Sequence, residues 1–203
     1  MKVKGLSFHQ ATTKRLFDFC VSLVGLVVTV PIILVAWLIS SIDTRSNGFF
    51  LQERVGKNGK LFRVIKIKTM KKIEGVDTNV TSLNDVRITK SGAFFRKAKI
   101  DELPQLWNVL VGQMSFVGPR PDVAGYADLL AENERVVLSV RPGITGPASL
   151  KYKDEESILA QQDDPKQYND DVIWPDKVKI NQEYINNYRF SKDLFYIWKT
   201  IVG

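Results

Sequence analysis

The chain has one cysteine and one histidine in 203 residues. With Cys20 alone no disulfide framework can form, which fits a reducing compartment. With His9 alone, close to the N-terminus, neither a histidine-based metal centre nor a Ser-His-Asp triad is available. The patterns GxxxxGKS/T and GxGxxG are absent, so nothing signals a P-loop or a Rossmann turn. There is no internal repeat, low-complexity tract or Gly/Ser linker. The length suits one domain with a real core, or a small domain plus an anchor. A net charge of +7 suits nucleic acid, an anionic membrane surface or a phosphorylated substrate, and does not choose among them.

Charge is also missing locally. No charged residue lies between Asp18 and Asp43 in the run FCVSLVGLVVTVPIILVAWLISSI, residues 19 to 42. As a helix this run reaches roughly 36 Å, enough to cross a bilayer core of about 30 Å. It is long for a signal-peptide apolar region, and no A-x-A-like cleavage site follows. Pro31 sits at its centre, where it removes a helical hydrogen bond and crowds the preceding turn. Both flanks are basic: Lys2, Lys4, Lys14 and Arg15 before, then Arg45, Arg54, Lys57, Lys60, Arg63, Lys66, Lys68, Lys71 and Lys72 after. The positive-inside rule then favours both ends on the cytoplasmic side. A helix that enters the membrane, breaks at Pro31 and leaves by the same face meets both conditions. A Pro-kinked span and a buried soluble helix are the competing readings.

Beyond the run, RSNG and GKNGK are turn signals around FFLQERV, and LFRVIKIKTM follows, so a hairpin with a basic edge at Lys66 and Lys68 is expected. Residues 73–90 are polar and expected to form a mobile loop. Residues 91–99 form an amphipathic stretch suited to a membrane surface, with Phe94 and Phe95 beside Arg96 and Lys97. A helix is expected from Asp101 to Leu110, with Leu103, Leu106, Trp107 and Leu110 at i, i+3, i+4, i+7 and Pro104 in the first turn. Gly118-Pro119-Arg120-Pro121 and Arg141-Pro142-Gly143 are rigid turns that each carry a cation. Residues 122–139 are expected to be helical, and 150–190 to hold short helices broken at Pro165 and Pro175. The aromatic-rich C-terminal stretch from Asp193 is expected on the core or at the interface.

Asp101-Glu102 is the pair most suited to chemistry. Neighbouring carboxylates can hold a divalent cation, and one can attack phosphorus. Plain helix capping explains two acids equally well. Arginine forks at Arg120 and Arg141 match phosphate oxygens, although solvated turns look the same in sequence. Lys66 and Lys68 suit phosphate, anionic lipid or simply a wet strand face.

Taken in order, KRLFDF before an apolar run with a central proline, QERVGKNGKLF, IKIKTM, IDELPQLWNVLVGQMSFVGPRP and VRPGITG resemble the monotopic phosphoglycosyl transferases, the bacterial sugar transferase family. The resemblance runs from Lys14-Arg15 to about Pro147. It implies a mainly helical α+β protein. Residues 1–43 would form a re-entrant membrane helix broken at Pro31, and 44–203 a cytoplasmic, interfacial catalytic domain at the bacterial inner membrane, with both termini cytoplasmic. It implies transfer of a sugar 1-phosphate from a UDP-sugar to polyprenol (undecaprenyl) phosphate, releasing UMP. By the same resemblance Asp101 is the nucleophile and Mg²⁺ ligand, and Glu102 its acid partner. Arg96, Arg120 and Arg141 would lie near phosphate or nucleotide, Pro119-Arg120-Pro121 would be the nucleotide-side turn, and Lys66 and Lys68 a basic pair. The chain departs from the family pattern at Val30, where relatives often carry Ser, at Gln113, where many carry an acid, and after Gly146. A non-catalytic membrane adaptor and a nucleic-acid-binding module are the alternatives that charge alone would allow.

Overall fold

The computed structural model describes residues 5–72 and 85–203. The part of the expected polar loop from 73 to 84, with Lys2 and Lys4, lies outside the described residues. The chain runs through helix α1 (Phe8–Thr44) and strands β1 (Phe49–Val55) and β2 (Leu61–Ile67), then helices α2 (Lys90–Lys97) and α3 (Gln105–Leu110) and strands β3 (Ser115–Val117) and β4 (Gly143–Thr145). Five helices follow: α4 (Pro147–Lys151), α5 (Glu155–Leu159), α6 (Pro165–Tyr168), α7 (Trp174–Asn186) and α8 (Phe190–Val202). The protein is therefore mainly helical with two small two-stranded sheets, as the α+β expectation requires.

Helix α1 starts well before the apolar run. Ser7 and Gln10 form a reciprocal capping box, satisfying two orphan N–H groups at the helix start. It ends at Arg45 in the left-handed region, in the turn that RSNG signals. The expected break at Pro31 is not an interruption: the helix continues through it. A proline removes only one donor, and here the helix is packed on both sides of it, by the partly buried Leu26 before and by Ile33 and Ala36 after. The Thr29 hydroxyl donates to the Gly25 carbonyl (2.7 Å), not to that of Val27, which loses its partner to Pro31.

The face that α1 buries is the unusual one. Its buried residues are Lys14, Asp18, Ser22, Ile33, Ala36 and Ser40, while Val24, Val27, Val28, Leu34, Val35, Leu38 and Ile42 are exposed. Polar groups point inward, and each finds a partner. Lys14 Nζ reaches Asp193 Oδ2 on α8 at 2.5 Å, and Tyr184 and Tyr188 donate to the same carboxylate at 2.6 and 3.1 Å. Asp18 accepts from Ser115 Oγ and the Phe116 N–H, both at 3.1 Å. Arg15 donates to the carbonyls of Val109 and Leu110, capping the end of α3. At the other end Ser40 donates to the Lys68 carbonyl, and Asp43 accepts from Ser91 on α2. Halfway along, a Cβ at Gly25 would meet Leu106 at 3.3 Å, so α3 lies directly against the helix.

Strands β1 and β2 pair antiparallel from Phe49 with Ile67 to Val55 with Leu61, around the turn expected at GKNGK. The helix expected from Asp101 begins later: Ile100–Glu102 is a 3₁₀ turn, Pro104 caps, and α3 starts at Gln105. On α3, Leu106 and Val109 are buried, the first towards α1 and the second with Val64 and Met114, while Trp107 and Val111 are exposed. Residues 122–139 hold two 3₁₀ turns, Ala127–Leu129 and Arg135–Ser139, in place of the expected long helix. They pack Val136, Val137 and Leu138 with Val178, Tyr184 and Ile185 of α7, so burial and not helical periodicity sets their path. Pro165 begins a helix, as N-terminal prolines do, whereas Pro175 makes no break: the chain stays helical from Pro165 to Asn186 through a π-helical turn at Asn169–Ile173 just ahead of that proline.

The buried ion pair at the base of α1 makes one prediction. Lys14→Met leaves Asp193 charged and buried with only two tyrosine donors, and should cost about 3–5 kcal/mol. Lys14→Met with Asp193→Leu should recover part of that loss. Thermal unfolding of the detergent-purified variants measures both.

Candidate functional site

The site gathers at the 3₁₀ turn between α2 and α3. Lys99, in the left-handed region at φ 57°, reverses the chain so that Asp101 and Glu102 face β2. A non-glycine residue there stores strain, and such strain concentrates at functional positions. Asn108 sets the distance to the strand. Fully buried, it accepts from the Ile65 N–H at 3.1 Å and donates to the Arg63 carbonyl at 2.8 Å and to Gln113 Oε1 at 2.7 Å. An amide side chain thus extends the edge of β2 and fixes α3 against it, with Lys66 over the acid pair.

Glu102 is clamped between two cations. Its Oε1 accepts from Lys66 Nζ and from Arg120, each at 3.1 Å. Burial opposes ionisation, but Arg120, Lys66 and Lys99 outweigh it and hold the carboxyl down at about 2. Asp101 is in the opposite condition. Burial and the neighbouring Glu102 push its pKa up, against Lys66, Lys99 and Arg96. Its Oδ1 is buried and has no hydrogen-bond partner among the described residues. Two adjacent acids therefore differ in kind, one paired with two cations through Oε1 and ionised, the other unsatisfied at its buried Oδ1.

The Arg-Pro turns expected at 118–121 and 141–143 are pressed together. The N–H of Gly143 donates to the Pro119 carbonyl at 2.8 Å, and that of Gly118 to Thr145 at 2.9 Å. A Cβ at Gly143 would lie 2.2 Å from the Gly118 nitrogen, so no side chain fits. This platform holds Arg120 against Glu102. Arg141 points elsewhere: its Nε donates to the Gly112 carbonyl at 2.7 Å, beside Arg15 at the far end of α3. Lys68 also lies apart, donating to Ser46 Oγ at 2.7 Å. The structure thus brings Asp101, Glu102, Lys66 and Arg120 together, with Arg96 in their field. Arg141 and Lys68 take backbone and hydroxyl partners outside that group, and Pro31 lies in α1. Asn108 and Lys99 escaped the sequence reading, since a helical asparagine and a loop lysine carry no pattern.

Mg²⁺, which the resemblance implies, can be tested against the residues present. The unpartnered buried Oδ1 of Asp101 suits a hard cation. Among the described residues no group of three or more His, Cys, Asp or Glu could hold a metal. The protein can therefore offer one or two carboxylates, with substrate phosphates and water completing the shell, an arrangement typical of Mg²⁺.

An acid pair with split electrostatics stands beside fixed cations, in a chain whose first helix is long and apolar enough to cross a membrane. The comparisons narrow this. The model of the bacterial sugar transferase family matches residues 9–203, and the chain belongs to that family. It is 35% identical over 188 residues to the uncharacterised sugar transferase EpsL of Bacillus subtilis, covering 93% of this chain and 85% of that protein. It is 38% identical over 144 residues to a putative undecaprenyl-phosphate N-acetylgalactosaminyl 1-phosphate transferase of the same species, covering 70% of this chain and 79% of the relative. It is also 38% identical over 162 residues to a UDP-glucose:undecaprenyl-phosphate glucose-1-phosphate transferase of Klebsiella pneumoniae, covering 76% of this chain and 34% of that longer protein.

The split has a pH signature. Folding raises the Asp101 pKa, so its ionisation costs stability once the pH passes the unfolded value near 4, and fully above the folded one. Asp101→Asn should therefore raise the melting temperature at pH 7 and leave it unchanged at pH 3. Glu102 has the opposite sign: its contribution is present above the unfolded value near 4.5 and is lost as the pH falls towards about 2. Glu102→Gln should lower the melting temperature at pH 7. Unfolding followed by circular dichroism at both pH values checks the two directions.

Proposed function

We propose that the protein transfers a sugar 1-phosphate from a UDP-sugar to undecaprenyl phosphate, as a membrane step of polysaccharide synthesis. The observation that carries this reading is the unpartnered buried oxygen of Asp101 beside a Glu102 already neutralised by Lys66 and Arg120. Family membership and the activities for which the relatives are named support it. Asp101, the acid with no hydrogen bond to give up at Oδ1, attacks the sugar-bearing phosphorus. The bond to UMP breaks, UMP leaves, and a phosphosugar remains on the carboxylate. The phosphate of the lipid acceptor then attacks the same phosphorus and frees Asp101, giving the polyprenyl-diphosphate sugar.

Glu102, held ionised with a pKa of about 2, has no proton to donate near neutrality. Its role is positional: it keeps Lys66 and Arg120 fixed, so their remaining N–H groups face the phosphates without reorganising. Mg²⁺ held by Asp101 would neutralise diphosphate charge. Transfer from a diphosphate needs little covalent help beyond the nucleophile, so positioning and charge dominate.

The inner-membrane, cytoplasmic-face placement belongs to the same proposal. A helix that crosses a bilayer separates its ends by about 30 Å of hydrocarbon. Here Lys14 and Asp18 near one end and Ser40 and Asp43 at the other all bond to the same 44–203 body. That geometry favours both ends on one side, with the apolar outer face of α1 in lipid. The exposed Leu194, Phe195, Trp198 and Ile201 of α8 suit the same interface, with Lys199 over the Phe195 ring as the cation beside them.

The protein reconstituted with undecaprenyl phosphate and Mg²⁺ should release UMP from at least one of UDP-glucose, UDP-galactose and their N-acetyl forms. Asp101→Asn and Asp101→Ala should lower that release by about three orders of magnitude. Sugar-labelled donor should leave label on wild-type protein and none on Asp101→Ala. Wild-type turnover in both variants would overturn the nucleophile assignment. For topology, Thr12→Cys in a Cys20→Ser background should resist a membrane-impermeant thiol reagent in intact cells and react after lysis. Labelling from outside would defeat the same-side arrangement.

A further inference from the structure

Beyond Arg120 the charges continue away from the acid pair. Arg120 feels Glu102 first, then Asp122 and Glu155, and Asp122 in turn faces Lys177, Arg54 and Arg120. Glu155 and Lys177 close this group as an ion pair of 2.6 Å between α5 and α7. Between the Pro119-Arg120-Pro121 turn and α7 lies a crevice whose lining includes Arg120, Asp122, Trp174, Val178 and Asn181. It is open to solvent on one side, and its space for water-sized groups is about 30 Å³. A water-sized group needs roughly 10–15 Å³ of such space, so the crevice has room for two or three hydroxyls.

Two of its walls carry acceptors without donors. Asn181 is buried, and its Oδ1 has no hydrogen-bond partner among the described residues. The side chain of Asp122, half-buried, makes no hydrogen bond among the described residues either, although three cations surround it. Buried polar atoms left unmatched cost about 1–3 kcal/mol each, so they are seldom left without a use. Acceptors call for O–H or N–H donors. Two in one narrow crevice, one turn from the cation that grips Glu102, call for a ligand bearing neighbouring hydroxyls, attached to a phosphate.

We propose that this crevice is a hydroxyl-reading subsite for the donor, in which Asp122 and Asn181 accept from neighbouring hydroxyls of a sugar ring whose phosphate lies at Arg120. Asp122 accepts at the mouth and Asn181 accepts deeper, with Trp174 as the apolar wall. The Glu155–Lys177 pair braces α7 so that Asn181 keeps its place. The inference deepens the transferase reading and rests on it. The hydroxyls belong either to the transferred sugar or to the ribose of the nucleotide, and the experiment separates the two.

Binding is measured in full-length Asp101→Asn protein in nanodiscs, so that no turnover intervenes. The probes are the UDP-sugar the wild type prefers, its analogues lacking single sugar hydroxyls, and its 2′- and 3′-deoxyribose analogues. If the wild type releases UMP from none, UDP-glucose and its analogues serve as probes. Removing the read hydroxyl should weaken binding about tenfold, the worth of one hydrogen bond to a charged or buried acceptor. Adding Asp122→Leu or Asn181→Leu should abolish that penalty for one hydroxyl and leave the penalties at the others. If the vanished penalty belongs to a sugar hydroxyl, the crevice reads the transferred sugar; if to a ribose hydroxyl, it reads the nucleotide. Unchanged penalties for every analogue in both variants, with melting temperatures showing them folded, would overturn the proposal. Wild-type protein that binds donor with these penalties but never releases UMP would instead defeat the transferase reading and leave the subsite standing.

Discussion

Everything else depends on a helix that turns its polar residues inward. In water α1 would be unstable in this orientation, because its valines and leucines face out while Lys14, Asp18 and Ser40 are buried. In lipid the arrangement is the favourable one, provided that every buried polar group is partnered. Each of those three is. The partners come from parts of the chain far away in sequence: Asp193 near the C-terminus, Ser115 and Phe116 in β3, and the Lys68 carbonyl after β2. The catalytic body is thus assembled on the polar seam of the anchor, and the site inherits its position from it. Arg15 reaches the end of α3 and Asp18 the start of β3, so the acid pair at the head of α3 sits at a fixed place relative to the apolar face.

That position explains why two neighbouring acids behave differently. Glu102 faces the strand and the proline-locked platform, which deliver Lys66 and Arg120. Asp101 feels Lys66, Lys99 and Arg96 without a hydrogen bond at its buried Oδ1, and these cations only partly offset its desolvation. In an ordinary helix cap both carboxylates would take backbone N–H groups and neither would be unsatisfied. Here the acids occupy a 3₁₀ turn ahead of α3, so the helix supplies neither with a cap. The fold therefore holds one carboxylate in a costly state, which is what the proposed nucleophile role draws on. Stability given up at a site in this way is a common correlate of activity.

Much of this was legible in the sequence. The uncharged run, the GKNGK turn and the two Arg-Pro turns are local signals, written in residue types that restrict the backbone wherever they occur. Asp101, Glu102, Lys66 and Arg120 were each visible as candidates, and the family resemblance drew them together. What was not legible depends on distant partners. Lys14 and Arg15 look like topology-setting charges, yet one is a buried ion-pair member and the other a helix cap. Residues 122–139 show apolar spacing that a helix would satisfy, but packing on α7 decides in favour of two short 3₁₀ turns. Arg141 resembles a phosphate ligand in sequence. Its Nε is given to Gly112, because the close contact of Gly118 with Gly143 aims the start of the second turn at the end of α3.

Pro31 shows how the two kinds of information combine. A proline at the centre of an apolar run argues for a break, because it always removes one donor. Whether the helix breaks depends on what holds the turns beside it, and here Leu26, Ile33 and Ala36 are packed together. Same-side placement of the two ends then requires no break in the helix. What supports the proposed placement is contact at both ends of α1 with a single body. The proline leaves the Val27 carbonyl without its usual donor on the exposed face, and in lipid an unmatched carbonyl is expensive. The outer surface near Val27 should therefore lie shallow, where water or a headgroup can reach that oxygen, with α1 seated along the interface and not deep within the hydrocarbon.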